Sequence, residues 1–165
     1  GHITLADPNL QMIEIGRNRL LDAGACNVSM CVCTAEELPF RADTFDKITL
    51  SFGFRNFTDQ YQALCELRRI LKPGGSVTIL DFTKPKAQPL KNLYAQYRSL
   101  WPKLGEFITG DKASYTYLND SLEVHLSQEA LVEMFRDAGY VSCFNTDLLG
   151  GVAAIHKGTK PINDR

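Results

Sequence analysis

Short apolar runs typical of buried strands alternate along the chain with longer stretches in which apolar residues recur at helical spacing. The runs predict strands at 3–6, 28–33, 48–52 and 76–82. Helical spacing follows the first run as far as Gly24, and the third run as far as the proline–glycine break at 72–75. This order, with crossovers of such length, predicts an α/β domain with a parallel sheet.

Asp7 closes the first predicted strand, and Pro8 and Asn9 open the helix that follows. Two roles fit this aspartate. One is the helix N-cap. The other is a carboxylate at the carboxyl end of a parallel strand, where it accepts both ribose hydroxyls of a nucleotide. One aspartate does not decide between them.

The third strand delivers an arginine and an amide side chain just past its end. The run 48–52 is β-branched and apolar, it breaks at Gly53, and Arg55 and Asn56 follow. Ligands bind at the carboxyl edge of open α/β sheets, so this placement favours a functional role. A solvated loop arginine is the alternative for Arg55, and the residues alone give the two interpretations equal weight.

The segment 90–126 differs because aromatic and aliphatic residues form a broad stripe at helical spacing. Such a stripe is typical of a core. Its place after a sheet strand also fits a lid over an apolar substrate or a membrane surface. Beyond it, Ser127 is predicted to cap a helix, and runs at 140–144 and 152–156 predict a terminal antiparallel hairpin.

Composition narrows the function classes. The chain has 165 residues, 44% of them apolar and 22% charged, which predicts one globular domain. A net charge of −1 argues against a nucleic-acid partner. No apolar run approaches the roughly 20 residues of a membrane span, and no signal peptide is recognised, which predicts a cytoplasmic location. Five cysteines without framework spacing predict reduced thiols, and three scattered histidines predict no metal site.

Several segments together resemble the ubiquinone/menaquinone biosynthesis C-methyltransferase family, within the class I S-adenosylmethionine-dependent methyltransferases. The resemblance covers residues 3–158. Its segments are LADPN at 5–9, AEELPF at 35–40, SFGFRNFTD at 51–59, RILKPGG at 69–75, SYTYL at 114–118 and GGVAAIHKG at 150–158. The LKPGG turn indicates only the superfamily, whereas the segments at 51–59 and 114–118 are specific to the family.

The resemblance implies a Rossmann-like α/β fold and methyl transfer from S-adenosylmethionine to a ring carbon of a polyprenylated quinol. By matching positions, Asp7 would hold the ribose hydroxyls and Ser51 would line the methionine end of the cofactor. Thr34 and Ala35 would border the adenine. The family usually has Asn or Asp where this chain has Thr34, and a threonine lacks the carboxamide geometry for the adenine amino group. Asp81 stands where many members have Glu.

Methyl transfer also needs a quinol oxygen that is deprotonated or polarised. Arg55 is expected to stabilise the phenolate, directly or through a water, with Asn56 orienting it. An arginine is a poor proton acceptor, so its expected role is electrostatic. Tyr115 and Tyr117 would wall the quinol pocket on the side that faces the membrane, which predicts a peripheral contact with its inner face. Ordinary core packing is the alternative for both tyrosines.

The family's first strand and the glycine-rich loop after it have no counterpart in this sequence. In the superfamily's strand order, 3-2-1-4-5-7-6, that strand is central, so its neighbours would present unpaired edges. Three arrangements are expected to resolve this: a longer chain supplies the strand, a second copy supplies pairing in a homodimer, or the two edges close onto each other.

The resulting domain prediction is an incomplete methyltransferase domain at 1–158 that contains the lid at 90–126, followed by a flexible tail at 159–165. The alternative function is a non-catalytic module of the same fold that binds a quinone-pathway partner or a lipid. A nicotinamide-dependent oxidoreductase fits less well, because no GxGxxG motif is present.

Overall fold

The computed structural model of the chain describes residues 1–83, 85 and 126–163. Tyr115, Tyr117 and all but the last residue of the predicted lid lie outside these residues. Two short 3-10 turns occur, at Phe54–Asn56 and at Leu149–Gly151. The strands and helices in chain order are β1 (Ile3–Asp7), α1 (Leu10–Asp22), β2 (Val28–Val32), β3 (Phe45–Ser51), α2 (Gln60–Ile70), β4 (Leu71–Phe82), α3 (Gln128–Asp137), β5 (Val141–Leu148) and β6 (Ala153–Thr159).

The strands form two sheets. β1 and β2 pair in parallel as a two-stranded sheet, and the other four strands form a sheet in the order β3-β4-β6-β5. β3 and β4 are parallel, and β6 runs antiparallel to both of its neighbours. The orders β2-β1 and β3-β4-β6-β5 are the two parts of the order 3-2-1-4-5-7-6 on either side of its first strand. In the part of the chain that the structure describes, β1 and β3 do not pair with each other. Of the three arrangements that the sequence left open, direct closure of the two edges is therefore excluded.

The start of α1 corrects one expectation about Asp7. The N-cap of this helix is Asn9, whose side-chain oxygen accepts hydrogen bonds from the backbone N–H groups of Gln11 at 2.9 Å and Met12 at 3.3 Å. Pro8 therefore precedes the cap and is not the first helical residue. Asp7 instead accepts a bond from the Asn9 backbone N–H at 2.8 Å, which leads the chain out of β1. The capping role of Asp7 is thus excluded.

A glycine pair within the first residues of β4 allows a helix to run directly into a strand. α2 ends at Ile70 and β4 begins at Leu71, with no intervening loop. Gly74 has a φ of +78°, and a Cβ on Gly75 would come within 2.8 Å of the Lys72 carbonyl oxygen. Only glycine tolerates both conditions without a shift of the backbone, which explains the break that the sequence shows at this point.

The hydrophobic core lies between the four-stranded sheet and the helices α2 and α3. Helix α3 approaches β6 closely because Gly158 has no side chain: a Cβ there would meet the Phe135 ring at 2.7 Å. The Tyr140 hydroxyl is buried and donates to the Leu64 carbonyl at 3.0 Å. The fully buried aliphatic and aromatic side chains of this core include Phe54, Leu64, Leu71, Val77, Ile79, Leu131 and Phe135.

The two-stranded sheet is much less covered. Ile13 is the one buried residue of α1, at 9% exposure. Large apolar side chains on β1, α1 and β2 remain exposed, namely Ile3, Leu10, Met12, Ile15, Leu21 and Val32. We call β1, α1 and β2 the two-stranded unit, and β3 to β6 with α2 and α3 the four-stranded unit.

Order at the carboxyl end extends past the predicted domain boundary at residue 158. Thr159 still pairs within the sheet, opposite Val141. The backbone N–H of Lys160 donates to the Gly75 carbonyl at 2.8 Å, and its ammonium lies 2.8 Å from a carboxylate oxygen of Asp43. The expectation of a tail beginning at 159 is therefore wrong for Thr159 and Lys160.

All five cysteines are free thiols, as expected from their spacing. Burial is the main cause that raises the pKa of the Cys33 thiol to about 11, with a further contribution from Cys31 beside it. Cys33 is therefore a neutral thiol at pH 7 and a poor nucleophile. Among the described helices, none has the length and apolar character needed to cross a bilayer.

Candidate functional site

Asp7 and Thr34 both lie at the carboxyl end of the two-stranded sheet. Asp7 is the last residue of β1 and pairs in register with Val32, the last residue of β2. The backbone N–H of Cys33 then donates to the Asp7 carbonyl at 3.3 Å, which keeps the chain beside Asp7 for one more residue. Thr34 follows and is exposed, whereas Ala35 and Asp7 are half-buried. The residues expected to contact ribose and adenine thus lie at one edge.

The next residue, Glu36, contacts the helix that follows β3 in the other sheet. Its carboxylate accepts hydrogen bonds from the backbone N–H groups of Thr58 at 2.8 Å and Asp59 at 3.3 Å. Asp59 is the N-cap of α2, the helix that follows β3. Glu36 lies shortly after β2 and binds the amino end of α2, which follows β3. Since β1 is parallel to β2, the carboxyl ends of β1 and β3 lie on the same side of the molecule.

A second set of contacts fixes the rest of this connection to α2. The Glu66 carboxylate accepts from the Leu38 backbone N–H at 3.2 Å, and the Arg69 guanidinium donates to the carbonyls of Leu38 and Phe40. Arg69 and Glu66 also pair at 2.8 Å. The hydrogen bond from Arg69 holds the pKa of Glu66 below its ordinary value. The AEELPF segment is therefore a structural clamp between the two units.

Arg55 is not a solvated loop arginine. Its side chain is 6% exposed, and its Nη1 lies 2.6 Å from a carboxylate oxygen of Asp81, a fully buried side chain at the end of β4. The same Nη1 donates to the Phe52 carbonyl at 2.7 Å. The alternative that the sequence left open for Arg55 is thus wrong, because the guanidinium is held in place at the strand edge.

Asp81 receives more than the ion pair. Its carboxylate also accepts from the backbone N–H of Arg55 at 3.2 Å and from that of Phe82 at 2.8 Å. A carboxylate with no exposed surface is stable in the ionised form only when such donors replace its hydration. One aspartate therefore sets both the backbone and the side chain of Arg55.

The end of β3 is conformationally strained. Phe52 has a φ of +56°, in the left-handed region that residues with a Cβ rarely adopt. Phe52 is 41% exposed, and its ring lies 4.7 Å from the Phe82 ring, centroid to centroid. The Arg55 guanidinium carbon lies 5.5 Å from the centroid of Phe82, within reach of a cation–π contact. Strain of this kind concentrates at functional sites.

Ser51 and Asn56 flank this cluster and are both exposed. Ser51 is the last residue of β3 and stands opposite Leu80 in the parallel ladder. The backbone N–H of Asn56 donates to the Gly53 carbonyl at 3.0 Å and closes the 3-10 turn. The structure therefore brings Ser51, Arg55 and Asn56 together at one strand end.

Sequence reasoning missed the site role of three residues: Asp81, Phe52 and Phe82. A signal for Asp81 was present in the alternation of β4. Val77, Ile79 and Asp81 occupy alternate positions and are all fully buried. A carboxylate in register with buried aliphatic residues requires a cationic partner. The left-handed backbone of Phe52 left no comparable signal, because phenylalanine is not a residue that favours positive φ.

Solved structures show what the fold is. A SAM-dependent methyltransferase from Aquifex aeolicus matches with a TM-score of 0.69 at 18% identity, over 97% of this chain and 69% of that one. The [4+2]-cyclase SpnF matches with a TM-score of 0.73 at 17% identity, over 98% of this chain and 68% of that one. The class I methyltransferase fold is confirmed. Since one of these proteins is named a cyclase, the fold alone does not identify a reaction.

Curated relatives are considerably more similar in sequence. The ubiquinone/menaquinone biosynthesis C-methyltransferase UbiE of Coxiella burnetii is 44% identical over 162 residues, which cover 97% of this chain and 65% of that protein. UbiE of Vibrio parahaemolyticus is 45% identical and is covered over 62% of its length. The chain thus spans slightly less than two thirds of these relatives. The model of the ubiE/COQ5 methyltransferase family matches residues 1–160, and the chain belongs to that family.

Proposed function

We propose that the protein transfers a methyl group from S-adenosylmethionine to a ring carbon of a polyprenylated quinol, in ubiquinone or menaquinone biosynthesis. The acceptor would be a demethylmenaquinol, a 2-methoxy-6-polyprenyl-benzoquinol, or both. The observation that carries the proposal is the buried, ion-paired Arg55 at a strand end that opens to the same side as Asp7. Family membership at this level of identity supports the same reaction.

The residues at the strand ends fit S-adenosylmethionine. Asp7 offers a carboxylate for the two ribose hydroxyls, and Ala35 offers an apolar border for the adenine. Thr34 and Ser51 each add a hydroxyl that can donate or accept. When bound, the cofactor supplies an electrophilic methyl group on a positively charged sulfur. The remaining requirement, a nucleophilic ring carbon, falls to the protein.

Arg55 is suited to that requirement because its side chain is largely buried and its charge is already held in place. A guanidinium held by a carboxylate and a carbonyl needs little reorganisation when negative charge develops on a quinol oxygen. The exposed Asn56, one residue further on, can donate its amide N–H to the same oxygen. The two residues would therefore lower the cost of forming the phenolate while the ring carbon attacks.

The acceptor is a lipid, so the proposal includes a peripheral contact with the membrane surface. Tyr115 and Tyr117 are proposed to wall the quinol pocket. A homodimer is proposed as the source of additional strand pairing. Co-sedimentation with vesicles and analytical ultracentrifugation measure these two parts separately.

The proposal is tested first by calorimetric titration of the chain with S-adenosylhomocysteine. Micromolar binding is the expected result, and it would lead to an assay of methyl transfer to a short-chain demethylmenaquinol. Absence of binding would favour the non-catalytic alternative for this chain.

The assay then compares two arginine variants. Arg55→Ala should lower kcat at least tenfold, or about 1.4 kcal/mol of transition-state stabilisation. Arg19→Ala, on an exposed position of α1, is the matched control and should retain activity. A smaller loss in Arg55→Ala, in a protein that remains folded by circular dichroism, would exclude the proposed role of Arg55.

A further inference from the structure

The contacts around β4 assign a role to a residue that has none so far. We propose that Asp81 is a positioning residue, which holds the Arg55 guanidinium in the one orientation that methyl transfer uses. This inference rests on the proposed function, because it explains how the proposed electrostatic group is kept in place. The experiment therefore distinguishes a failure of this inference from a failure of the proposed function.

Several hydrogen bonds converge on the Asp81 carboxylate. Asp81 Oδ1 accepts from Arg55 Nη1 at 2.6 Å and from the Phe82 backbone N–H at 2.8 Å, and Oδ2 accepts from the Arg55 backbone N–H at 3.2 Å. Fixing both ends of the arginine removes most of the rotamer freedom of its long side chain. A surface ion pair would not restrict it in this way.

Arg55 Nη1 bridges two acceptors. This nitrogen donates to the Phe52 carbonyl at 2.7 Å as well as to Asp81. The Phe52 carbonyl that accepts this bond belongs to a residue in the left-handed region, a conformation that is unfavourable for a residue with a Cβ. The bond from Arg55 offsets part of that cost, so the end of β3 and the end of β4 are tied together through one guanidinium.

Both side chains of this ion pair are buried. The Asp81 side chain is fully buried and the Arg55 side chain is 6% exposed. Removing one partner of such a pair leaves the other without compensation, so Arg55 would turn toward solvent and leave its position. A displacement of about 1 Å at a catalytic group lowers turnover by roughly a hundredfold.

The test is a double-mutant cycle with a matched control. Asp81→Asn keeps the shape of the side chain but removes the charge. It should lower kcat by up to roughly a hundredfold, and by no more than Arg55→Ala does, with little change in the Kd for S-adenosylhomocysteine. Asp81→Glu keeps the charge and should restore much of the activity. The double variant Asp81→Asn/Arg55→Ala should be no slower than Arg55→Ala alone, because Asp81 acts through Arg55.

The control is Asp43→Asn, which neutralises the carboxylate that pairs with the buried Lys160, outside the site. It should leave kcat unchanged. If Asp43→Asn and Asp81→Asn lose activity equally, or if the losses from Asp81→Asn and Arg55→Ala simply add, the positioning role is refuted.

A second readout does not depend on turnover. Nitrogen-15 NMR of the arginine side chains should show slow rotation about the Cζ–Nη1 bond of Arg55 in the unmodified chain and in Asp43→Asn, and rapid rotation in Asp81→Asn. Slow rotation in Asp81→Asn would overturn the inference. If the unmodified chain binds cofactor but transfers no methyl group, the proposed function fails, and the NMR result still decides whether Asp81 positions Arg55.

Discussion

The two units of the molecule differ in how they are stabilised, although each has parallel strands and a helix packed against them. Helices α2 and α3 of the four-stranded unit each bury four residues against the sheet, whereas α1 of the two-stranded unit buries only Ile13. The proposed site draws on both: Asp7 belongs to the weakly covered unit and Arg55 to the well-packed one. The proposed site is thus shared between a weakly covered part of the molecule and a well-packed one.

This difference indicates a division of labour. Groups that stabilise charge gain from a fixed position, which the core beneath Arg55 provides. A ribose-binding carboxylate tolerates a more mobile support, because ligand binding stabilises the conformation that binds it. The unit that carries Asp7 is therefore expected to become more stable when cofactor binds.

The largest expected effect contrasts two leucines. Leu131 on α3 is 1% exposed and Leu21 on α1 is 64% exposed. Leu131→Ala should lower the free energy of unfolding by about 2–5 kcal/mol, since it leaves a cavity in the core. Leu21→Ala should change it by less than about 0.5 kcal/mol. Urea titrations followed by circular dichroism measure both, and equal losses would contradict the difference between the units.

A smaller effect is expected on cofactor affinity. Asp7→Asn retains an oxygen for the Asn9 backbone N–H but loses the charge that two ribose hydroxyls would share. Loss of a charge-assisted bond should weaken binding of S-adenosylhomocysteine by roughly ten- to a hundredfold. Asp22→Asn is the control for calorimetry, because Asp22 is an exposed residue at the end of α1 in the same two-stranded unit. Unchanged affinity in Asp7→Asn would remove Asp7 from the site.

The smallest effect concerns the clamp between the units. The hydrogen bond from Arg69 lowers the pKa of Glu66 from its ordinary value of 4.5. The ionised carboxylate therefore stabilises the folded state fully at a pH above 4.5. This contribution is lost as the pH falls through the lowered pKa of Glu66. Arg69 is 38% exposed, so solvent screens the pair and its worth is below about 1 kcal/mol.

Glu66→Gln should therefore be slightly less stable than the unmodified chain at pH 7, with the difference vanishing below the lowered pKa. Thermal unfolding at a series of pH values measures it. Glu133→Gln removes an exposed partner of Arg136 on α3 and should show no such difference. A gap between Glu66→Gln and the unmodified chain that persists in acid would mean that the clamp does not depend on the carboxylate charge.

Most of the architecture could be predicted because local signals and the final packing agree. The alternation of β4 predicted the strand, although the strand begins at Leu71 and not at the predicted residue 76, after the proline–glycine break. Ser127 caps α3 as its position suggested. The N-cap of α1 was harder to predict, since Asp7 and Asn9 are both residues that favour this position. Only the backbone geometry shows that Asn9 takes the role.

The partner of Arg55 could not be read from local patterns. Asp81 lies far along the chain and becomes its neighbour only because β3 and β4 pair in parallel with their ends aligned. Lys160 likewise looked like part of a loose tail until its contact with Asp43 placed it. Long-range pairs of this kind follow from the register of the sheet, which residue spacing alone does not supply.

The position of β6 has a consequence for how the molecule is made. It is the last described strand along the chain, yet it lies inside the sheet, between β4 and β5. During synthesis, β4 and β5 leave the ribosome with no strand between them, and their edges stay open until β6 emerges. The four-stranded sheet therefore closes only after nearly the whole described chain has been translated.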